Sequence, residues 1–269
     1  MRSNTKNIKG TIIKLPQYLE TKKKLYKRDG YCKIDQVFKD SFVNVIKKDI
    51  IKLSKKGSYK DKYGKIRRVE KIYDKTQNLK KLNRILKDII YKILKKKLEI
   101  FKDKCHFKPP GGAGFKAHYD GVFYFFDKNN KKRKGWYEYS NYFVNALVAL
   151  DFCDKKNGTL ELAKAKNKKY DELILDTYQD GSPLLKKVVE KKFKFRSFKL
   201  LPGDVLLFSN KCPHRSKKNN SKSTRTILYY TYSNCGISAY KKYFKDKDES
   251  LNKNSKSLTW FEDQIYNYL

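Results

Sequence analysis

His118 and Asp120 stand two residues apart in the run FKAHYDGVFYFF (115–126), in a chain of 269 residues with only three histidines. The run alternates as a strand does and follows a Pro-Pro-Gly-Gly turn. On a strand, residues i and i+2 point to one side, so this imidazole and carboxylate are expected to face out together. That is two thirds of a metal site. His214, at the end of the run DVLLFSNKCPH (204–214), is the candidate third ligand and is expected to close that strand. Two imidazoles and a carboxylate on one face leave three coordination positions open. This is the facial triad that holds Fe(II) in non-haem oxygenases, with a bidentate cosubstrate and O₂ in the open positions. Arg225 opens the next apolar run, where its planar fork is placed to clamp a distal carboxylate. Each piece alone is weak: a lone His-x-Asp is often a surface or capping pair, and a His after Cys-Pro is often a turn residue. The combination is harder to dismiss, because it uses two of the three histidines. His106, the third, has no carboxylate at matching spacing and reads as structural.

The elements that must position these residues change character along the chain. Residues 21–38 read as a charged helix, an Asp29-Gly30 turn and a short strand. Residues 41–56 have apolar residues at helical spacing behind a Ser41 cap, and 56–68 read as a polar loop. From Asn78 to about Phe101, the residues Leu82, Ile85, Leu86, Ile89, Ile93 and Leu94 form a stripe on a lysine-studded helix, expected to pack on the domain's own sheet. After residue 102, short alternating runs separated by turn signals dominate: CHFK, FKAHYDGVFYFF, NYFVNALVALDF, GTLELAK, KKFKFRSFKL, DVLLFSN and TRTILYYTYS. The expected fold is mainly β with flanking helices around a jelly-roll, cupin-like core, that is, a double-stranded β-helix. The expected organisation is one domain: a mostly helical flank over 1–101, the roll over 102–235 with an insert near 164–190, and a tail over 236–269. Residues 127–135 and 164–182 read as loops or lids. The tail ends in LTWFEDQIYNYL, which has the pattern of a docking helix.

Composition bounds the partners without naming them. The net charge is +37, carried by 65 Lys and Arg of which only nine are Arg. A positive field favours anionic partners, yet the lysines are spread along the whole chain, and an AT-rich coding sequence produces the same excess. A nucleic-acid reader usually relies more on the bidentate arginine fork. Nucleic acid is therefore the less favoured partner, and a small-molecule substrate the favoured one. Five cysteines, none in a Cys-x-x-Cys pair, suit neither a zinc ribbon nor a secreted disulfide framework. The opening residues lack an apolar h-region, and no run of about 18 apolar residues occurs. These features predict a soluble, cytoplasmic protein without a transmembrane segment or signal peptide.

The motifs also resemble a known family. HYD at 118–120 and LLPGDVLLFSNKCPHRSKKNNSKSTR at 200–225 resemble the phytanoyl-CoA dioxygenase family of Fe(II)/2-oxoglutarate oxygenases. The pattern is His-x-Asp, then Pro-Gly-Asp before a strand, then His-x-Ser-x-x-Asn with a following Arg, met here by His118, Asp120, Pro202 to Asp204, His214, Ser216, Asn219 and Arg225. FKPPGG at 107–112 resembles the family's Lys-Pro-Pro run, so Lys108 maps to a lysine that helps bind 2-oxoglutarate. DKKNGTLEL at 154–162 and YKRDGYCKIDQVF at 26–38 extend the resemblance over roughly residues 20–232. Three positions depart from it: Tyr119 stands where Gln is common, Arg215 where Gly is expected, and AKAKNKK replaces a Pro-Gly-Ser-His run. They alter the substrate side and its loop while keeping the ligand set.

The resemblance implies that His118, Asp120 and His214 bind Fe(II), and that Arg225, helped by Lys108 or Ser216, binds the cosubstrate 2-oxoglutarate. O₂ would then hydroxylate an unactivated C–H bond of a small, possibly anionic substrate, with release of succinate and CO₂. Family members that halogenate carry a small residue at the carboxylate position, so Asp120 implies hydroxylation. Tyr119, Tyr124 and the ALVAL run (146–150) are candidates for the pocket wall. Three alternatives stay open: a nucleic-acid-directed oxygenase on the same chemistry, a non-catalytic basic binding protein on the same fold, and zinc hydrolysis by the same three ligands, which leaves Arg225 without a role.

Overall fold

The computed structural model describes residues 19–252, apart from 62 and 128. The opening segment and the LTWFEDQIYNYL tail lie outside the described residues. Helix α1 (Leu19–Asp29) ends at Gly30, whose φ of +81° turns the chain into strand β1 (Tyr31–Ile34). A Cβ at Gly30 would sit 2.4 Å from that of Ala165, so both dihedral and space require glycine here.

Helix α2 (Asp40–Ser54) starts one residue before the expected Ser41 cap. Lys39 occupies the cap without a side-chain hydrogen bond, its carbonyl accepting from the amides of Phe42 and Val43. Asp40 puts a negative charge in the first turn, where the helix dipole favours it. The expected polar loop at 56–68 instead holds β2 (Tyr59–Lys60) and the start of β3 (Ile66–Glu70), a hairpin added to the sheet edge. Helix α3 (Gln77–Leu94) is capped by Thr76 Oγ1, which accepts from Leu79 N at 3.2 Å. It ends at Lys95 in the left-handed conformation (φ 54°), well before Phe101. Residues expected to continue this helix begin β4 (Glu99–Lys108), because Glu99 and Ile100 pair with Ser233 and Tyr232. Sheet pairing overrides the helical pattern there.

Beyond β4 come β5 (Phe115–His118), the small hairpin β6 (Phe125–Phe126) and β7 (Lys132–Arg133), then β8 (Phe143–Ala149) and β9 (Leu160–Leu162). Two short helices, α4 (Tyr170–Leu173) and α5 (Lys187–Glu190), lie in the insert region. They are followed by β10 (Arg196–Ser197), β11 (Val205–Ser209), β12 (His214–Ser216), β13 (Arg225–Ser233) and helix α6 (Ser238–Asn252). The major sheet has the order β1-β11-β8-β13-β4-β3-β2, and the minor sheet β10-β9-β12-β5, with antiparallel pairing throughout. The flank thus contributes strands as well as helices to the roll.

Alternation sets the layers. In β8, Val144, Ala146 and Val148 face outward and share one core with Ile46 and Ile50 of α2 and Leu82, Leu86 and Ile89 of α3. Leu147 and Ala149 face inward and pack with Leu160 and Leu162 of the minor sheet. The helical stripe read from the sequence therefore covers the domain's own sheet. The two sheets face one another as a jelly roll, and the open end of the space between them holds the histidines. All five cysteines are unpaired. Among the described residues no helix is long and apolar enough to cross a membrane.

Candidate active site

The structure brings His118, Asp120 and His214 together, with one ligand-capable atom from each lying within 4.8 Å of the others. The route differs from the expectation in two ways. Strand β5 ends at His118, so Asp120 is not a strand neighbour but a turn residue, followed by Gly121 with φ +76°. His214 does not close the strand that begins at Val205; it opens β12 in the other sheet, directly opposite His118. Their rings lie 4.1 Å apart, and His214 Nε2 is 3.7 Å from Asp120 Oδ2. A Cβ at Gly121 would stand 2.7 Å from the Trp136 indole, so the turn that delivers Asp120 depends on glycine.

Both imidazoles are oriented by backbone carbonyls. His118 Nδ1 lies 2.7 Å from Lys116 O, and His214 Nδ1 3.1 Å from Cys212 O. A carbonyl only accepts, so each Nδ1 carries the proton and each Nε2 keeps its lone pair. Burial, then the neighbouring His214, push His118 down to about 3, which keeps it neutral at physiological pH. Asp120 is held by a buried relay that the sequence reading missed. Thr231 Oγ1 donates to Asn145 Oδ1 at 2.7 Å, which turns the Asn145 amide so that Nδ2 donates to Asp120 Oδ2 at 2.8 Å. Asn210 Nδ2 donates to the Asp120 carbonyl at 3.3 Å. The available signal was an asparagine inside the apolar run NYFVNALVAL, where a polar residue needs a buried partner.

Removing this relay is expected to loosen the cluster without unmaking it. Asn145→Ala should lower divalent-metal affinity by about 10- to 100-fold, the usual cost of losing a ligand's supporting partner. Titration of Fe(II) or Mn(II) against a competing chelator measures this. Unchanged affinity would mean that the carboxylate needs no support.

The cleft beside the cluster has a volume of about 590 Å³, its open mouth included, and is lined in part by Phe115, Leu160, Ser216, Arg225 and Tyr229. A second cavity of about 370 Å³ shares His118, Asp120 and Trp136 with it and is lined further by Tyr119, Phe123 and Tyr243. Arg225 stands at the head of β13, paired in register with Lys108 of β4. It is buried, and among the described residues its Nε and Nη1 have no hydrogen-bond acceptor. A guanidinium buried with two orphaned donors is costly unless an anion meets it. The donor set at one end and the arginine at the other fit a divalent metal and a carboxylate ligand.

Ser216 lines the cleft; Lys108 does not, and sits behind it. Lys108 Nζ donates to Ser216 Oγ at 2.8 Å and to Lys217 O at 2.8 Å. Ser216 Oγ also accepts from Phe115 N at 3.2 Å, which leaves its own O–H to donate into the cleft. Burial first, then Arg225 and Arg67, push Lys108 down to about 6. Asn219 braces this corner, donating to the carbonyls of Lys108 and Ser223 at 2.8 Å. Of the other candidates, Tyr119 lines the second cavity, its hydroxyl donating to Asp176 at 3.1 Å. Tyr124 and the ALVAL residues line neither cavity. His106, read as structural, stacks on Phe115 and lines the cleft wall. Arg215 lies on Phe195 and pairs with Glu161 and Glu190, both at 2.7 Å, fastening the insert to the minor sheet.

The fold is that of the non-haem 2-oxoglutarate oxygenases. It superposes on the solved structure of the epimerase SnoN in complex with Fe³⁺, alpha-ketoglutarate and nogalamycin RO, with a TM-score of 0.62 at 16% identity, covering 81% of this chain and 84% of that one. The chain belongs to the phytanoyl-CoA dioxygenase (PhyH) family, which it matches over residues 26–227. It is 28% identical over 187 residues to a 2-aminoethylphosphonate dioxygenase of the uncultured bacterium HF130_AEPn_1, covering 68% of this chain and 65% of that protein. It is 26% identical over 153 residues to a methylphosphonate hydroxylase of Gimesia maris, covering 56% of this chain and 52% of that protein. The matched stretch is thus less than two thirds of either relative's length.

Proposed function

We propose that the protein is an Fe(II)- and 2-oxoglutarate-dependent dioxygenase that hydroxylates a C–H bond of a small anionic molecule, a phosphonate being the first class to test. The observation that carries this reading is the buried Arg225, whose Nε and Nη1 lack an acceptor among the described residues, in the same cleft as the His118, Asp120 and His214 cluster. In this reading the cluster holds the iron, Arg225 pairs with the far carboxylate of 2-oxoglutarate, and Ser216 donates to the same carboxylate. Together, when bound, iron and 2-oxoglutarate let O₂ be divided, one oxygen atom going to the substrate C–H and the other into succinate as CO₂ leaves. The chain orients this chemistry. The carbonyls of Lys116 and Cys212 hold the Nδ1 protons of the two histidines, and Asn145 fixes the carboxylate of Asp120. Trp136, Phe123 and Tyr119 wall the second cavity and exclude water from the substrate side. An anionic substrate is supported by the two relatives named for phosphonates, and the unpaired cysteines suit a reducing, cytosol-like compartment.

The deciding experiment exposes anaerobically iron-loaded protein to O₂ with 2-oxoglutarate, with and without 2-aminoethylphosphonate or methylphosphonate, and follows succinate and the ³¹P spectrum. Iron-dependent succinate stimulated by a phosphonate, with a new ³¹P resonance, is expected. Absence of both succinate and stoichiometric 2-oxoglutarate binding would sink the oxygenase reading. Succinate that no phosphonate stimulates would remove only the substrate class.

Lys108 adds a proton to this account. Its amine, pushed down to about 6, is mostly neutral at pH 8 in the empty site. A carboxylate arriving at Ser216 and Arg225 supplies counter-charge and raises it. Binding of 2-oxoglutarate at pH 8 should therefore take up close to one proton, and the uptake should fade below about pH 6, where the amine is already charged. Calorimetry in two buffers of different ionisation enthalpy reads this, and Lys108→Met should abolish it. Uptake that persists in Lys108→Met would assign the proton elsewhere.

A further inference from the structure

The insert over residues 164–190 is bound to both strands that carry the histidines. Strand β5 ends the minor sheet and pairs with β12 along one edge. Its other edge is taken by the insert. Leu185 N donates to Ala117 O at 2.9 Å, Tyr119 N donates to Pro183 O at 3.2 Å, and His118 bridges Leu184 between them. Residues 183–185 pair in turn with 176–178, where Tyr178 N donates to Leu184 O and Lys186 N to Asp176 O, both at 3.0 Å. A two-stranded ribbon thus extends the sheet past His118, and Pro183 of that ribbon lines the second cavity.

Side chains lock the ribbon in place. Tyr119, 0% exposed, packs with Tyr170, Leu173 and Leu185 of the insert. Its hydroxyl donates to Asp176 Oδ2 at 3.1 Å, and Lys168 Nζ reaches both oxygens of that carboxylate at 3.0 Å. On β12, Arg215 joins Glu190 of α5 to Glu161 of β9, both at 2.7 Å. The three departures from the family pattern meet here: Tyr119, Arg215 and Lys168 of the AKAKNKK run. Tyr119 is joined by peptide bonds to His118 and, on its other side, to Asp120; Arg215 is joined to His214. Consecutive Cα atoms are held at a fixed separation, so a shift of either residue passes directly to the ligand beside it.

Resting on the reading above in which the cluster holds a metal, we infer that Asp176 and Glu190 are positioning residues for that metal centre. Through Tyr119 and Arg215 they hold His118, Asp120 and His214 at binding distance of one another, so that docking of the insert and binding of the metal form one coupled equilibrium. Such coupling is reciprocal. A metal that draws the three ligands onto itself tightens the ribbon, and a loosened ribbon weakens the metal. A ribbon that only covered the apolar cluster around Tyr119 would behave differently: loosening it would lower stability and leave metal affinity as it was.

Hydrogen exchange with and without Mn(II) follows the insert, and titration of Mn(II) against a competing chelator follows the metal. In wild type, Mn(II) should slow exchange in peptides covering 170–190 by about fivefold or more, beyond any slowing in helix α3. Asp176→Ala and Glu190→Ala should each weaken Mn(II) by about fivefold or more. Tyr119→Phe combined with Asp176→Ala should cost no more than Asp176→Ala alone, since both break the same bond. Asp176→Asn keeps an acceptor for the Tyr119 hydroxyl and gives up a partly exposed ion pair of small worth, so its affinity should stay within about twofold of wild type. It also guards against an Ala variant that fails to fold. Affinity within about twofold of wild type in both Ala variants, or insert exchange that Mn(II) leaves unaltered, would overturn the inference and make these contacts purely structural. Wild type that binds no divalent metal would overturn both the inference and the oxygenase reading. The expected coupling in a protein that neither binds 2-oxoglutarate nor forms succinate would keep the positioning role and remove the oxygenase reading.

Discussion

Asp120→Ala protein, loaded anaerobically with Fe(II) and exposed to O₂, should form succinate from 2-oxoglutarate more slowly than wild type by well over the roughly 100-fold expected for losing a supporting partner. The carboxylate is the one anionic donor in the cluster, and without it two neutral imidazoles must hold a dication in a cleft that has no other carboxylate among its described lining residues. The loss should appear first as metal affinity and then as turnover. The substitution also leaves Asn145 Nδ2 without its acceptor in a buried site, so a modest fall in melting temperature accompanies it. Asp120→Glu keeps the charge but lengthens the side chain against a turn fixed by Gly121, and should recover little. Succinate formation in Asp120→Ala within tenfold of wild type would remove this residue from the metal site.

Arg225→Met should separate stability from function. The guanidinium of Arg225 is buried with two nitrogens lacking acceptors, and an unpaired buried charge destabilises the empty protein. Its replacement by an apolar side chain of similar length should leave the melting temperature of the ligand-free protein unchanged or higher. The same change should weaken 2-oxoglutarate by about 30-fold or more, since truncating one side of a buried charge pair costs about 2 kcal/mol or more. Arg225→Lys should not rescue, because an ammonium cannot present two parallel donors to a carboxylate. Equilibrium binding of 2-oxoglutarate and a thermal melt together decide the matter. A destabilised variant with normal affinity would make Arg225 a structural residue.

Much of the scaffold was legible because burial writes itself as period. The stripe Leu82, Ile85, Leu86 and Ile89 announced a helix with one buried face, and the alternating runs after residue 102 announced sheets. Errors fell where local pattern and sheet pairing disagree. Residues 95–101 carry helical spacing, yet Glu99 and Ile100 are claimed by β13. The polar stretch 56–68 contains a hairpin because the edge of β4 offers its backbone a partner. The family's Pro-Gly-Asp turn proves structural here: Asp204 accepts from the amides of Gln36 and Leu201 and pairs with Lys33, closing the turn before β11.

The sequence by itself determined which groups were available for chemistry: two spaced histidines, an aspartate, an arginine fork and a serine, within motifs whose family the comparison bears out. Residue type and short-range spacing carry that information, because ligand and clamp chemistry depend on side-chain identity. Only the tertiary structure decided how they meet. His118 and His214 face each other across two adjacent strands, and Asp120 reaches them from a turn. Asn145 and Thr231 enter through a neighbouring pair of strands in the other sheet. Which face of each strand meets the cleft likewise needed the sheet, since alternation says that two residues share a side but not which side is the cleft. That choice follows from where helices α2 and α3 bury their apolar faces, a long-range fact that no local stretch of sequence contains.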